Sequence, residues 1–357
     1  MTDPGLLESG SAPAHAAVVV RGAPAEQLAR TSPVPMSKPP TSAAPVLAAA
    51  TGSEARSARL WSWWATARRA LPWRETRDPW EVLVAEMMLT QTQVARVVPR
   101  YRSFLERFPD PASAAVAGPG AVLAAWVGLG YNRRALQLQR TAVRVVEEHG
   151  GVLPRDPSQL ERLPGVGAYL ARAVAVFAFE ADLGVVDTNV GRLLARAVVG
   201  RPLRRREAQV LADQLVPRGK GWAWNQAMLD LGALVCRRRS PHCNACPWQA
   251  DCRWAGSGPD PAAGSFAVGA RQAPFAGSDR QGRGRLVRAA AAAGPAGIAA
   301  ADLARVAGWP DDPTRAERVA AGLVEEGLLA WTPAGTLALP VPAGPGRELP
   351  RGASAPR

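Results

Sequence analysis

One stretch, Leu163 to Arg192 (LPGVGAYLARAVAVFAFEADLGVVDTNVGR), constrains this chain more than any other. It opens with Leu163-Pro164-Gly165-Val166-Gly167 between two helical patterns. So tight a turn is cheap only for glycine, which tolerates positive φ and lets a second backbone come close. The pattern predicts two helices joined by a hairpin. The second helix would begin just past Gly167 with unpaired N–H groups, a geometry that holds a backbone phosphate without reading sequence. From Ala168 to Phe179 the residues are apolar almost all round, Arg172 excepted, so this helix belongs in a core. The chain then turns through Glu180 to Gly184 and delivers Val185-Val186-Asp187-Thr188-Asn189 to another helix start. There Asp187 reads either as an N-cap or as a working carboxylate.

Charge supplies the second constraint. The 357 residues hold 43 Lys+Arg against 30 Asp+Glu, a net charge of +13. That excess favours a polyanionic partner, although a chain so rich in Arg and Ala also reflects GC-rich coding. No stretch approaches the roughly 18 apolar residues of a membrane span, and no basic-then-apolar secretory signal opens the sequence. A cytoplasmic protein without a membrane partner is expected.

Residues 1–55 are rich in Pro, Ala and Ser, lack periodicity, and are expected to be disordered. A pattern containing Trp61, Trp63 and Trp64 predicts a helix that ends before Leu71-Pro72-Trp73-Arg74. Trp80 to Val98 reads as one helix, apolar on most faces, with Glu86 beside Val82, Leu83, Leu89 and Thr90 at helical spacing. A carboxylate placed there is costly unless it is used. Helical patterns continue at about 101–107, 112–117, 119–127, 133–148 and 158–163, and strand signals are almost absent up to Trp254. Residues 56–254 are therefore expected to form an all-α domain. Residues 255–280 read as a linker. Helices at about 282–293, 299–307 and 313–327, then a hairpin of Leu328 to Trp331 with Thr336 to Leu339, give 281–340 the outline of a winged helix or of a small structural appendage. Residues 341–357 read as a disordered tail.

The chain's four cysteines, Cys236, Cys243, Cys246 and Cys252, form a C-x6-C-x2-C-x5-C pattern. Clustering of this kind in an intracellular chain points to a metal or cluster site rather than to disulfides. Four thiolates can hold a 4Fe–4S cluster or a tetrahedral zinc, and their chemistry alone does not choose. Arg237, Arg238, Arg239 and Arg253 flank the ligands, either to meet phosphates or as a solvated loop.

A glycine hairpin, a VDTN aspartate about 20 residues later and this cysteine spacing together resemble the helix-hairpin-helix DNA glycosylases of the endonuclease III type. Within that superfamily, LPWR at 71–74, AEMMLTQTQVARV at 85–97, GLGYNRRALQL at 128–138 and NQAMLDLGALVC at 225–236 resemble the adenine DNA glycosylase (MutY) family. The resemblance covers residues 58–254. It implies two all-α lobes with duplex DNA gripped across the cleft, and a 4Fe–4S cluster on the loop 236–252. By the same resemblance, Glu86 protonates the adenine ring at N7 and helps deliver water, and Asp187 stabilises the cationic sugar. The residues agree, because glycosidic cleavage wants one carboxyl kept protonated by an apolar setting and one kept ionised by a polar one. The target base must also leave the stack. The resemblance assigns Gln91 and Tyr131 as wedges, Tyr131 against the base opposite the adenine, and Trp73, Arg74 and Gln226 to the adenine pocket. From their own sequence context, Trp73 reads as core, Tyr131 as a loop anchor and Gln226 as a solvated helix residue.

Where the endonuclease III type carries a nucleophilic lysine, two residues past the second hairpin glycine, this chain has Tyr169, expected to hydrogen-bond near Glu86. Without that amine no Schiff base forms, so a monofunctional glycosylase is expected. Thr90 and Asn132 depart from the family's usual LQQTQV and GLGYY. The stretch after Cys252 is too short and strand-poor for the NUDIX-like domain that recognises 8-oxoguanine in many members. The expected substrate is duplex DNA with adenine opposite 8-oxoguanine or guanine, met by a monomer. The alternatives are a glycosylase for thymine or uracil opposite guanine, against which Glu86 argues because pyrimidines lack N7, and a non-catalytic DNA-binding protein.

Overall fold

The computed structural model describes residues 54–266 and 273–341. The disorder expected for 1–55 and 341–357 thus falls almost wholly outside the described residues. Helices dominate: α1 (Glu54–Ala67), α2 (Pro79–Leu89), α3 (Val94–Arg107), α4 (Pro111–Trp126), α5 (Arg133–His149), α6 (Pro157–Leu160), α7 (Ala168–Phe177), α8 (Thr188–Leu193), α9 (Arg205–Leu215) and α10 (Gly221–Asp230). Among the described residues no helix is long and apolar enough to cross a membrane.

Two cores divide the helical part into lobes. The first gathers around α2 and α7, whose inward residues (Leu83, Val84, Met88, Ala173, Val174) are wholly buried together with Phe104, Trp126 and Leu138. The second joins α1, α8 and α10 through Leu60, Trp64, Val190, Leu193, Trp224 and Trp248. Trp222 and Leu229 pack against both. The all-α, two-lobed architecture implied by the resemblance is the one found.

Capping explains several starts. Asp78 accepts from the N–H groups of Trp80 and Glu81 with Pro79 at the first turn of α2, and Asp110 with Ser113 closes a reciprocal box at α4. The single helix expected over 80–98 is instead two. Helix α2 stops at Leu89, α3 begins at Val94, and Gln91 between them takes a positive φ of 59°. No Gly or Pro marks this break; side chains from elsewhere hold it, as described below.

Two stretches are π-helical, Leu194–Val199 after α8 and Leu231–Val235 after α10. Their i to i+5 bonds (Gly200 N–H to Ala195 O, Cys236 N–H to Leu231 O) insert an extra residue per turn, the second just before the cysteine loop.

The stretch 255–280 is not a free linker at its start. Asp260 pairs with Arg196, and Ser265 Oγ accepts from Leu203 N–H while donating to Pro261 O. Beyond it lie α11 (Asp279–Ala293), β1 (Ile298–Ala299), α12 (Leu303–Ala307), α13 (Pro313–Glu325), β2 (Ala330–Trp331) and β3 (Thr336–Ala338). The sheet is antiparallel in order β1-β3-β2, pairing Ile298 with Leu337 and Ala330 with Ala338. The two-residue β1 is the strand the sequence did not reveal. This part shares the first core through Leu286, Ile298 and Leu337, and at Gly120 of α4 an added Cβ would lie 2.2 Å from the Pro340 carbonyl oxygen.

Candidate active site

Glu86 projects from α2 and is 6 % exposed. Burial pushes its carboxyl up to about 7; a hydrogen bond from Tyr169 opposes this, the Asp187 charge adds to it, and Arg74 opposes it. The Tyr169 hydroxyl donates to Glu86 Oε2 at 3.0 Å. Burial, then the facing Glu86 and Asp187 charges, hold this phenol well above its ordinary range, so it remains a donor. The expected location of Tyr169 beside Glu86 is therefore its location in the structure.

Asp187 caps α8. Its Oδ1 accepts from Asn189 N–H at 2.8 Å and Val190 N–H at 2.7 Å, and Oδ2 accepts from Asn189 Nδ2 at 2.7 Å. The N-cap and catalytic readings are not exclusive, since one carboxylate can do both. Its setting is less polar than expected: burial raises its pKa, against the pull of the Val190 and Asn189 donors and Arg192. Both carboxyls are thus raised, and hydrogen bonding separates them. Glu86 accepts one and Asp187 three, and each bond accepted favours the ionised form.

Sequence reasoning missed Asp230, which is fully buried at the end of α10. Arg74 grips it bidentately (Nη1 to Oδ2 2.7 Å, Nη2 to Oδ1 2.8 Å), and Trp64 Nε1 and Arg69 also donate to it. Arg74, assigned to the adenine pocket, therefore spends both terminal nitrogens tying the two lobes together. Gln226 lies one turn before Asp230 and is 4 % exposed, so it is not a solvated helix residue. Trp73 is buried with its ring edge-on to Tyr101 at 5.5 Å. Asp230 looked from sequence like one more helix polar residue; only its apolar neighbours Leu229 and Leu231 hinted at burial.

In the hairpin, Gly165 has φ +74° and an added Cβ would meet Gln137 Cβ at 2.5 Å, so glycine is required twice over. Gly167 differs: at φ −93° and ψ 179° its backbone is ordinary, and nothing lies within 4 Å of an added Cβ. It caps α7 without a side chain and faces open space. Gln91 and Tyr131 both take positive φ, 59° and 49°, and Tyr131 is 46 % exposed.

The four cysteines form no disulfide and line one cavity with Arg196, His242 and Trp254. Arg196 Nη1 approaches Cys236 Sγ at 3.7 Å, and Ala255 N–H donates to Cys252 Sγ at 3.2 Å. Burial pushes Cys246 up to about 11, so a thiolate there calls for a cation. No three His, Cys, Asp or Glu side chains among the described residues close on a single ion-sized point; the sulfurs ring the cavity instead. Donor set, cavity and N–H groups aimed at sulfur fit a thiolate-held cluster. Arg192 connects this loop to the carboxylate: its Nη2 donates to Asn189 Oδ1 and Gly232 O, and its Nε to Cys236 O.

Residues 84–217 match the model of the HhH-GPD superfamily of base excision DNA repair proteins. The chain is 42 % identical over 285 residues to the adenine DNA glycosylase of Mycolicibacterium smegmatis, covering 78 % of this chain and 94 % of that one. It is 41 % identical over 208 residues to the adenine DNA glycosylase of Homo sapiens, covering 54 % of this chain and 38 % of that one. Among solved structures it resembles a thermostable thymine-DNA glycosylase (TM-score 0.52, 29 % identity, covering 57 % of this chain and 97 % of that one). It likewise resembles endonuclease III trapped as a covalent intermediate with DNA (TM-score 0.50, 25 % identity, covering 55 % and 92 %).

Proposed function

Because the chain belongs to the adenine DNA glycosylase family of the HhH-GPD superfamily, it is a DNA glycosylase acting on adenine, and we propose that it removes adenine paired with 8-oxoguanine or guanine in duplex DNA. One observation supports the roles of its acids above all: Glu86, raised to about 7, receives the Tyr169 hydroxyl and feels the Asp187 charge.

Glu86 gives its proton to adenine N7, and the C1′–N9 bond breaks with its electron pair moving to the base. The positive charge left on the sugar faces the Asp187 carboxylate, which the α8 N–H groups and Asn189 hold in place. Glu86, now a carboxylate, takes a proton from the water that adds to C1′. Tyr169 keeps donating throughout. No lysine enters, since the chain's two lysines are Lys38 and Lys220 and position 169 is tyrosine. The reaction therefore stops at the abasic site. Gln91 and Tyr131 fill the stack, while Trp73 and Gln226 wall the pocket, with Arg74 placing that wall. Cys236, Cys243, Cys246 and Cys252 hold a 4Fe–4S cluster, which supplies a cross-link for the loop 236–252. A cytoplasmic monomer on DNA completes the reading.

The test is single-turnover base release from duplexes carrying A:8-oxoguanine, A:G, G:T or A:T, with and without alkali. Adenine released from the first two, with strand breaks only after alkali, is expected. Thymine released from G:T would replace the adenine assignment, and breaks without alkali would remove the monofunctional one.

A further inference from the structure

Two turns of the first lobe end in residues that carry unusual backbone. The turn Thr90 to Gln93, between α2 and α3, holds Gln91 at φ 59°, and the turn Gly128 to Asn132, before α5, holds Tyr131 at φ 49°. Neither residue is glycine, asparagine or aspartate, the types that enter this region most easily. Such conformations persist only where the surroundings over-determine them. What over-determines both here is Arg134, the second residue of α5.

Its Nη1 donates to the carbonyl oxygens of Met87, Met88 and Thr90, and its Nη2 to Thr92 Oγ1 and Gly130 O, at 2.5 to 3.1 Å. The first three acceptors are the carbonyls that the end of α2 leaves unpaired, where the helix dipole also favours a cation. The guanidinium thus closes the α2 C-terminus, and with its other nitrogen it fastens the second turn to the first. Its carbon lies 5.3 Å from the Tyr131 ring centroid and 5.4 Å from that of Trp126. Thr92 Oγ1 reaches Leu129 O at 3.4 Å, and Trp126 Nε1 donates to the same Gly130 carbonyl at 3.1 Å. A planar fork with five donors can serve acceptors in two directions, whereas an ammonium is a point donor on a flexible stem.

We propose that Arg134 is a positioning residue for base extrusion: one guanidinium sets the spacing and pitch of both wedge side chains, Gln91 and Tyr131, relative to each other and to the helix that bears Glu86. The proposal rests on the wedge roles given to those two residues. Arg134 needs no contact with DNA for this, because both its terminal nitrogens are taken by protein oxygens. The same clamp explains why the chain breaks helix at 90–93 without a glycine or proline.

The experiment uses the full chain and a duplex with 2-aminopurine beside the target adenine, whose fluorescence rises when the stack opens. It follows Arg134→Lys and the milder Thr92→Val, each also in a Gln91→Ala/Tyr131→Ala background. In the otherwise intact chain, Arg134→Lys is expected to slow the fluorescence rise and adenine release by roughly 10- to 100-fold, as misplacement on the order of 1 Å does. Thr92→Val is expected to act in the same direction but less. Binding to undamaged duplex should hold. In the double-alanine background neither change should slow release further, because the side chains they position are gone. An equal loss in that background would overturn the proposal, showing that Arg134 acts through stability or by touching DNA. Unchanged extrusion in Arg134→Lys would overturn it as well. If the double-alanine chain opens the stack as fast as the unaltered one, the wedge reading itself fails, and the proposal with it.

Discussion

Glu86 is a carboxyl kept where carboxyls are costly, and two measurements follow from that cost. Its acid form survives to about 7, so base release should fall as pH rises through 7, when the proton to be given away is lost, and fall again on the acid side as Asp187, raised by burial, is protonated. The linkage has the same sign. The fold binds a proton that the unfolded chain releases near 4.5, so the stability due to this group is complete below that pH and is lost as pH rises toward 7. Glu86→Gln should therefore abolish adenine release yet gain about 1–3 kcal/mol over the unaltered chain at pH 8, a gain that shrinks at pH 5 in urea melts. Asp187→Asn is a different case. Asparagine caps a helix about as well as aspartate, so the fold should persist to within ~1 kcal/mol while single-turnover release is lost. The sequence made Glu86 legible, because an acid in an apolar helical pattern is conspicuous. It could not show that Asp187 is raised too, since that depends on what the fold packs over it.

At the scale of elements, the lobes meet on a buried ion cluster beside Trp222 and Leu229, which pack against both cores. Asp230 ends α10 in one lobe, and Arg74 and Arg69 reach it from the segment between α1 and α2. Removing one partner of such a group strands the other's charge without water. Asp230→Ala should cost roughly 3–5 kcal/mol in urea unfolding, whereas removing an exposed pair such as Arg144 with Glu148 should cost about 0.3–0.5 kcal/mol. A helix start and a periodic face were readable from the glycine turn before α7 and the apolar run that follows it. The break at Thr90 to Gln93 was not, because it is imposed by Arg134 from more than 40 residues away. The two-residue β1 escaped for another reason: it is shorter than any alternation that could announce a strand.

Taken whole, the molecule has no clean seam between its glycosylase lobes and the part after residue 273. Leu286, Ile298 and Leu337 share the first lobe's core, Gly120 abuts Pro340, and Glu326 bridges Arg283 to Arg133 at the root of α5. Residues 273–341 should therefore melt together with the first lobe in one calorimetric transition; a separate lower transition would show them to be an independent appendage. The π-helical stretches Leu194–Val199 and Leu231–Val235 carry a consequence for how this chain tolerates insertion and deletion. A π turn holds one residue more than an α turn, so deleting one residue from 231–235 restores regular winding while Cys236 and the chain beyond it keep their direction. The backbone would lose an irregularity and the loop would keep its four cysteines together. Alanine substitution at Leu234, which is partly exposed, should be mild, and its deletion should likewise leave helical circular dichroism and the urea midpoint little changed. The end of α10 is thus a place where this chain has room to be one residue shorter.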